Sequence, residues 1–153
     1  MIAPSGGPGV PARALNGAVG LLVGRLGVPV PGTWMLVVAG RRTGTPHDTP
    51  VCLLRMDDGR GYLVAPRGET GWVRNLRVAG RGELRRGRRT MTFTAREVDG
   101  DERVDAIEEY LRQFGRLSRR FFDLPKGASR LAVANVAPLH PVFRLGPAGA
   151  PPA

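Results

Sequence analysis

The 153 residues suit one domain around one hydrophobic core and argue against two. With 23 basic residues against 13 acidic, a formal net charge of +10 and a sequence isoelectric point near 11.5, the chain favours anionic partners, polymeric or small. One cysteine, Cys52, excludes an internal disulfide and fits a reducing, cytoplasmic setting. Two distant histidines, His47 and His140, exclude a Cys/His zinc cluster, so no metal is expected. All but one of the basic residues are arginine, Lys126 being the exception. That skew reads in part as coding bias and weakens charge alone as a functional sign.

Met1 to Val10 is rich in Gly and Pro and is expected to be disordered, as is Gly146 to Ala153, leaving one domain over 11–145. No signal peptide is recognisable, because Gly6, Gly7 and Pro8 precede any basic residue and no clean apolar core follows. Leu15 to Val30 is broken by Asn16, four glycines, Arg25 and Pro29, so it falls short of the roughly 20 apolar residues that span a bilayer. Leu15, Val19, Leu22 and Leu26 instead predict a short amphipathic helix. Three roles are open to it: packing on its own domain, covering a ligand, or peripheral contact with a membrane surface.

Thr33 to Ala39 is short and continuously apolar and reads as a buried strand. The stretch from Gly40 to Pro50, G-R-R-T-G-T-P-H-D-T-P, then forms an exposed connection. Gly44 permits a positive φ and Pro46 opposes regular pairing. Arg41, Arg42, the Thr43 and Thr45 hydroxyls and nearby N–H groups could converge there on one anion. A solvated turn is the plainer reading, since the loop lacks a P-loop lysine and does not fit G-x-G-x-x-G.

Thr49 to Met56 is the next strand, and Asp57-Asp58-Gly59 turns the chain into Gly61 to Ala65. After the loop from Pro66 to Thr70, Gly71 to Ala79 has helical spacing, with Trp72, Val73, Leu76 and Ala79 on one side and Arg74 and Arg77 on another. This helix begins where an anion would meet free N–H groups and the positive dipole end. Glu83 to Arg86 and Arg88 to Val98 form a hairpin in which Met91, Phe93 and Ala95 alternate with threonines and Arg96. Asp99 or Asp101 would cap a helix through Val104, Ile107, Tyr110, Leu111 and Phe114, which Gly115 is expected to interrupt before Leu117 to Phe122. Leu131 to Ala137 is ambiguous between helix and strand, and Pro141 to Leu145 closes the sheet. About six hairpin strands with helices at both ends of the sequence predict an α+β domain built on a small antiparallel barrel.

The order G-R-R-T-G-x-P-x-x-x-P, strand, D-G turn, strand, Gly-containing loop, W-V-R-N-L and a terminal H-P-V-F-R-L resembles the deazaflavin-dependent nitroreductase family over Leu22 to Leu145. The resemblance implies a split β-barrel (FMN-binding-like) that binds coenzyme F420. It also implies transfer of hydride from the reduced form to a nitro compound, quinone, enone or similar acceptor. By the same resemblance, Arg41, Arg42, Thr43 and Gly44 hold the phosphate and oligoglutamate end of the cofactor, and contacts continue through His47, Asp48, Thr49, Pro50, Val51 and Cys52. Val64, Ala65, Pro66, Arg67 and Gly68 match the family's second loop; Trp72, Val73, Arg74, Asn75 and Leu76 match its tryptophan and asparagine-leucine segment. Arg42 stands where the family has lysine, the loop before Trp72 is shorter, and of the substrate tyrosines only Tyr110 survives, beside Phe114, Phe121 and Phe122. Related barrels commonly form homodimers.

Each of these residues has an alternative reading. Arg41, Arg42 and Arg67 bind an anion through charge-assisted hydrogen bonds or are exposed surface charge. Trp72 walls the cofactor ring or packs in the core. Asn75, on the apolar flank of its helix, caps local backbone or contacts the cofactor. His47 touches phosphate or is a solvated loop residue, Cys52 reads as a small core residue, and Tyr110 either orients substrate or fills the core that its spacing predicts. Two rival functions stand beside the reductase. The eight arginines from Arg74 to Arg96 could track nucleic-acid phosphates, although their aromatics alternate inward and no nucleic acid is expected. The same barrel could instead hold FMN, haem or a fatty acid.

Overall fold

Every apolar run expected to form a strand becomes a stave of one closed sheet. The computed structural model describes residues 32–147. The helix expected over Leu15 to Val30, the tail from Met1 to Val10 and the last residues of the chain lie outside them. The strands are β1 (Thr33–Ala39), β2 (Pro46–Arg55), β3 (Gly61–Val64), β4 (Arg81–Arg86), β5 (Arg89–Val98) and β6 (Val142–Pro147). The helices are α1 (Gly71–Ala79), α2 (Gly100–Phe122) and α3 (Arg130–Val136), followed by a 3-10 turn at Ala137–Leu139. The barrel order is β1-β2-β3-β6-β5-β4 with all neighbours antiparallel, and pairing of Leu36 with Leu84 closes β1 onto β4. The α+β barrel read from the sequence is the one found.

The period-two alternation of the strands separates two cores. Inside the barrel lie Leu36, Val38, Leu53, Leu63, Leu84, Phe93 and Phe143, joined by Val73 and Leu76 of α1. On the outer face, Leu54, Tyr62, Val64, Val98 and Val142 receive Val104, Ala106, Ile107, Tyr110, Phe114 and Phe122 of α2. Glu102 anchors the first turn of α2 by accepting from Tyr62 Oη at 2.6 Å and Arg144 Nη1 at 3.1 Å. Burial, reinforced by that carboxylate, pushes the Tyr62 phenol up to about 12.

Strand directions put the C-terminal ends of β1, β3 and β5 and the N-terminal ends of β2, β4 and β6 at one rim. The β1–β2 turn, the loop 65–70 and α1 therefore share that rim. The opposite rim carries the turns at 56–60 and 87–88. There the guanidiniums of Arg86 and Arg89 stack 6.0 and 5.5 Å from the centroid of Trp34.

Several boundaries differ from those the sequence suggests. β2 starts at Pro46, paired with Ala39, because a proline is tolerated as the first residue of a strand; the exposed connection shrinks to Gly40–Thr45. β6 runs to Pro147, so Gly146 and Pro147, expected in the tail, pair with Thr94 and Phe93. Gly115 does not interrupt α2, which is continuous over 23 residues. The Arg119 side chain lies over the missing Cβ, and acidic Asp101 and Glu102 in the first turn with basic Arg119 and Arg120 in the last complement the helix dipole. The ambiguous segment after Ser129 is helical, its start capped by Ser129 Oγ accepting from the Ala132 N–H at 3.2 Å.

Phe143→Ala empties the centre of the barrel and is expected to lower the unfolding free energy by ~3–5 kcal/mol. Val78→Ala, at a side chain 68% exposed, is expected to change it by under ~0.5 kcal/mol. Urea denaturation of the two variants beside the parent checks both values.

Candidate functional site

The β1–β2 turn is closed on itself. Gly40 N–H donates to the Thr45 carbonyl at 2.7 Å and Gly44 N–H to the Gly40 carbonyl at 2.8 Å. Thr43 Oγ1 accepts from the Thr45 N–H at 3.3 Å and donates to Thr45 Oγ1 at 3.0 Å. Gly44 has φ +77°, and a Cβ there would meet nothing within 4 Å among the described residues, which leave the backbone open on that side. Arg42 is exposed and has no ion pair or side-chain hydrogen bond among the described residues. Arg41 is committed elsewhere: its N–H and Nη1 both donate to Asn75 Oδ1, at 3.1 and 2.8 Å.

Of the β2 residues, His47 lies beside the turn, its ring against Gly40, where a Cβ would come within 2.8 Å of Nε2. Asp48, Thr49 and Pro50 follow as half-buried residues paired with Val37, Leu36 and Met35. Val51 and Cys52 pair with Trp34 and Thr33, about 20 Å of strand below the rim. Val51 packs into the barrel and Cys52 against the helical layer, so Cys52 is not brought to the rim. Burial pushes its thiol up, away from nucleophilic reactivity. Tyr110 is likewise 3% exposed among Phe114, Phe122 and the sheet, and burial raises its phenol. It faces Cys52 rather than an opening.

Val64 and Ala65 are buried at the end of β3, and the loop that follows is pressed onto the C-terminal segment. Gly68 has φ +79°, and a Cβ there would lie 3.0 Å from the Leu139 carbonyl. The Ala65 carbonyl accepts from the His140 ring at 3.1 Å, which fixes the His140 proton on Nδ1. Pro66, Arg67 and Gly68 form one wall of a cleft of about 520 Å³; Phe121, Phe122, Asp123, Val136, Leu139 and His140 form the rest. The Arg67 and Arg120 guanidiniums lie 5.0 and 4.9 Å from the Phe121 centroid.

Helix α1 completes the rim. Val73 and Leu76 are fully buried inside the barrel, Trp72 packs 6.0 Å from Phe143, Asn75 is 7% exposed and Arg74 is exposed. Arg77 donates to both Glu69 and Glu97, and Glu97 also meets Arg103 at 3.3 Å, which ties the loop, α1, β5 and α2 together. These carboxylates hold the Arg77 guanidinium above its ordinary range. Thr70, just before α1, has a buried Oγ1 with no partner among the described residues. Among the described residues, the face of Gly44, the Arg42 guanidinium, the Thr70 hydroxyl and the first-turn N–H groups of α1 are without partners, and donors of this kind suit an anionic group.

The sequence profile of the F420H(2)-dependent quinone reductases matches residues 12–120. The chain belongs to that family. A search of curated proteins found no match. Among solved structures, the chain is similar to the protein Atu2129 of Agrobacterium tumefaciens, described as of unknown function. The TM-score is 0.59 at 20% identity, over 78% of this chain and only 49% of that one. It is similar to an F420-H2 dependent reductase, FDR-A, with TM-score 0.54 at 17% identity over 74% of this chain and 93% of that one. A pyridoxamine 5'-phosphate oxidase-like protein of Listeria innocua gives TM-score 0.52 at 13% identity over 88% and 94%. These likenesses establish the split-barrel fold. Among the described residues no cluster of three or more His, Cys, Asp or Glu could hold a metal ion, and no helix is long and apolar enough to cross a membrane.

The sequence did not single out Thr70, Leu139 or His140 for the site. A threonine directly before a helical pattern is the signal that could have found Thr70. His140 opens the resemblance-bearing H-P-V-F-R-L, but no local pattern marks its ring as a wall of the cleft.

Burial holds the His140 imidazole below its ordinary range, so the folded state favours the neutral ring. Its stabilising share is fully present above the unfolded-state value of about 6.5 and is lost as pH falls below it, where the unfolded chain takes up the proton first. Thermal unfolding between pH 8 and 5 is expected to show a falling midpoint below about pH 6.5 that is shallower in His140→Gln.

Proposed function

We propose that the protein is an F420-dependent reductase that passes hydride from the reduced deazaflavin to a small organic acceptor, a quinone, nitro compound or enone. One observation carries the reading: in a chain of this family, two loops and a helix N-terminus with uncommitted donors gather at a single rim of the barrel. Arg42, the face of Gly44 and the first-turn N–H groups of α1 would hold the phosphate and acidic tail, with the Thr70 hydroxyl as a further donor. Trp72 and the walls of the loop 65–68 would flank the ring. Bound there, the reduced deazaflavin supplies the hydride.

The protein's part is to align donor and acceptor and to exclude water, and no acid–base pair is required for that. The cleft beside the loop 65–68 suits a planar, largely apolar acceptor, since Phe121, Phe122 and Leu139 supply apolar walls and Arg67 a cation at the edge. Nucleic-acid binding has less support. Phe93 is 3% exposed within the barrel, Arg77 is neutralised by two glutamates, and Arg86 and Arg89 stack on Trp34, leaving no stacking platform on the β4–β5 ribbon.

Calorimetric titration with oxidised F420, with FMN and a short DNA duplex in parallel, tests the reading. Preferential binding of F420 is expected, and Arg42→Ala is expected to weaken it about ten- to a hundredfold. Its unfolding free energy should stay within about 0.5 kcal/mol of the parent, because an exposed unpaired charge contributes little to stability. A response to DNA alone, or unchanged F420 affinity in Arg42→Ala, contradicts the proposal.

A further inference from the structure

Asn75 sits between two side chains that are inside the barrel, Val73 and Leu76, and it is itself 7% exposed. Its amide oxygen accepts twice from one residue 34 positions away, from the Arg41 N–H at 3.1 Å and from Arg41 Nη1 at 2.8 Å. A side-chain carbonyl has two lone pairs, and both are spent on Arg41. The acceptor cannot drift, because moving α1 would withdraw Val73 and Leu76 from the core. The Arg41 N–H belongs to the peptide that enters the β1–β2 turn. The Gly40 to Thr45 and Gly44 to Gly40 hydrogen bonds carry the orientation imposed there through Arg42, Thr43 and Gly44.

We infer that Asn75 is a positioning residue. It fixes Arg41 as a strut between α1 and the β1–β2 turn, so that the neighbouring Arg42, rather than Arg41, presents its guanidinium to the anionic tail of the cofactor. The inference rests on the function proposed above, and it divides two adjacent arginines of like charge into a structural one and a ligand-facing one. Arg41 has spent its N–H and Nη1 on a buried acceptor, whereas Arg42 has spent nothing among the described residues. An asparagine that touched the cofactor through the same oxygen would have to release Arg41 first and leave the turn unanchored.

Residue-resolved amide hydrogen exchange on the cofactor-free protein tests the strut without reference to any ligand. Asn75→Leu is expected to speed exchange at Arg41 by about tenfold or more and to loosen the turn through Thr45. Asn75→Asp, which keeps the acceptor oxygen, is expected to retain slow exchange. Arg41→Met removes the side-chain bond from an exposed position and guards against a folding defect in the buried variant; it is expected to speed exchange in the same residues. Unchanged exchange in both Asn75→Leu and Arg41→Met overturns the strut.

F420 affinity then tests its consequence. Asn75→Leu is expected to weaken binding about tenfold, and combining it with Arg42→Ala should cost little beyond Arg42→Ala alone, because both act through one guanidinium. Additive losses overturn the inference that Asn75 acts through Arg42. Faster exchange in a protein whose F420 affinity ignores Arg42→Ala contradicts the cradle instead and leaves the strut standing.

Discussion

The insertion of Val73 and Leu76 into the open end of the barrel is the constraint from which the rest of the site follows. A six-stranded barrel has an interior that its own side chains do not fill at the rim, and α1 supplies the missing apolar volume there. Once those two side chains are buried, the helix has no rotational freedom. The other residues are then assigned by its period: Trp72 towards Phe143, Asn75 towards the β1–β2 turn, Arg77 towards Glu69 and Glu97. One hydrophobic contact thus sets the geometry of a polar site.

The charges at the rim fall into two kinds. Arg77 and Arg103 are spent on Glu69, Glu97 and backbone carbonyls, which bind α1 to α2 and to the end of β5. Arg42 and Arg74 are left exposed, and Arg67 rests on an aromatic face rather than on a carboxylate. The net charge of +10 conceals this division between cations already paired with carboxylates and cations that, among the described residues, are not.

Much of this was legible beforehand, for definite reasons. β1 and α1 coincide to the residue with the stretches the sequence marks, because a continuous apolar run and a 3.6-residue period leave little ambiguity. The inward set Met91, Phe93 and Ala95 followed from alternation alone. Pro46 and Gly115 misled because both are judged by local propensity. Pairing with Ala39 in one case and the dipole and packing of a long helix in the other outweighed that preference. Within the site, Arg41 and Arg42 are indistinguishable as letters, and only the 34-residue contact to Asn75 separates them. Tyr110 carries the same signature whether it orients a substrate or fills a core, and the sheet beneath α2 decides for the core.

The stacking of two guanidiniums on Trp34 sets that ring apart from Trp72. The chain contains two tryptophans, and they lie at opposite ends of the barrel: Trp34 beneath Arg86 and Arg89, Trp72 at the rim beside Phe143. The protein therefore carries two built-in optical reporters in unlike surroundings, one sealed under cations and one next to the loops. Replacing either with phenylalanine isolates the emission of the other, so that events at each end can be followed separately without attaching a dye.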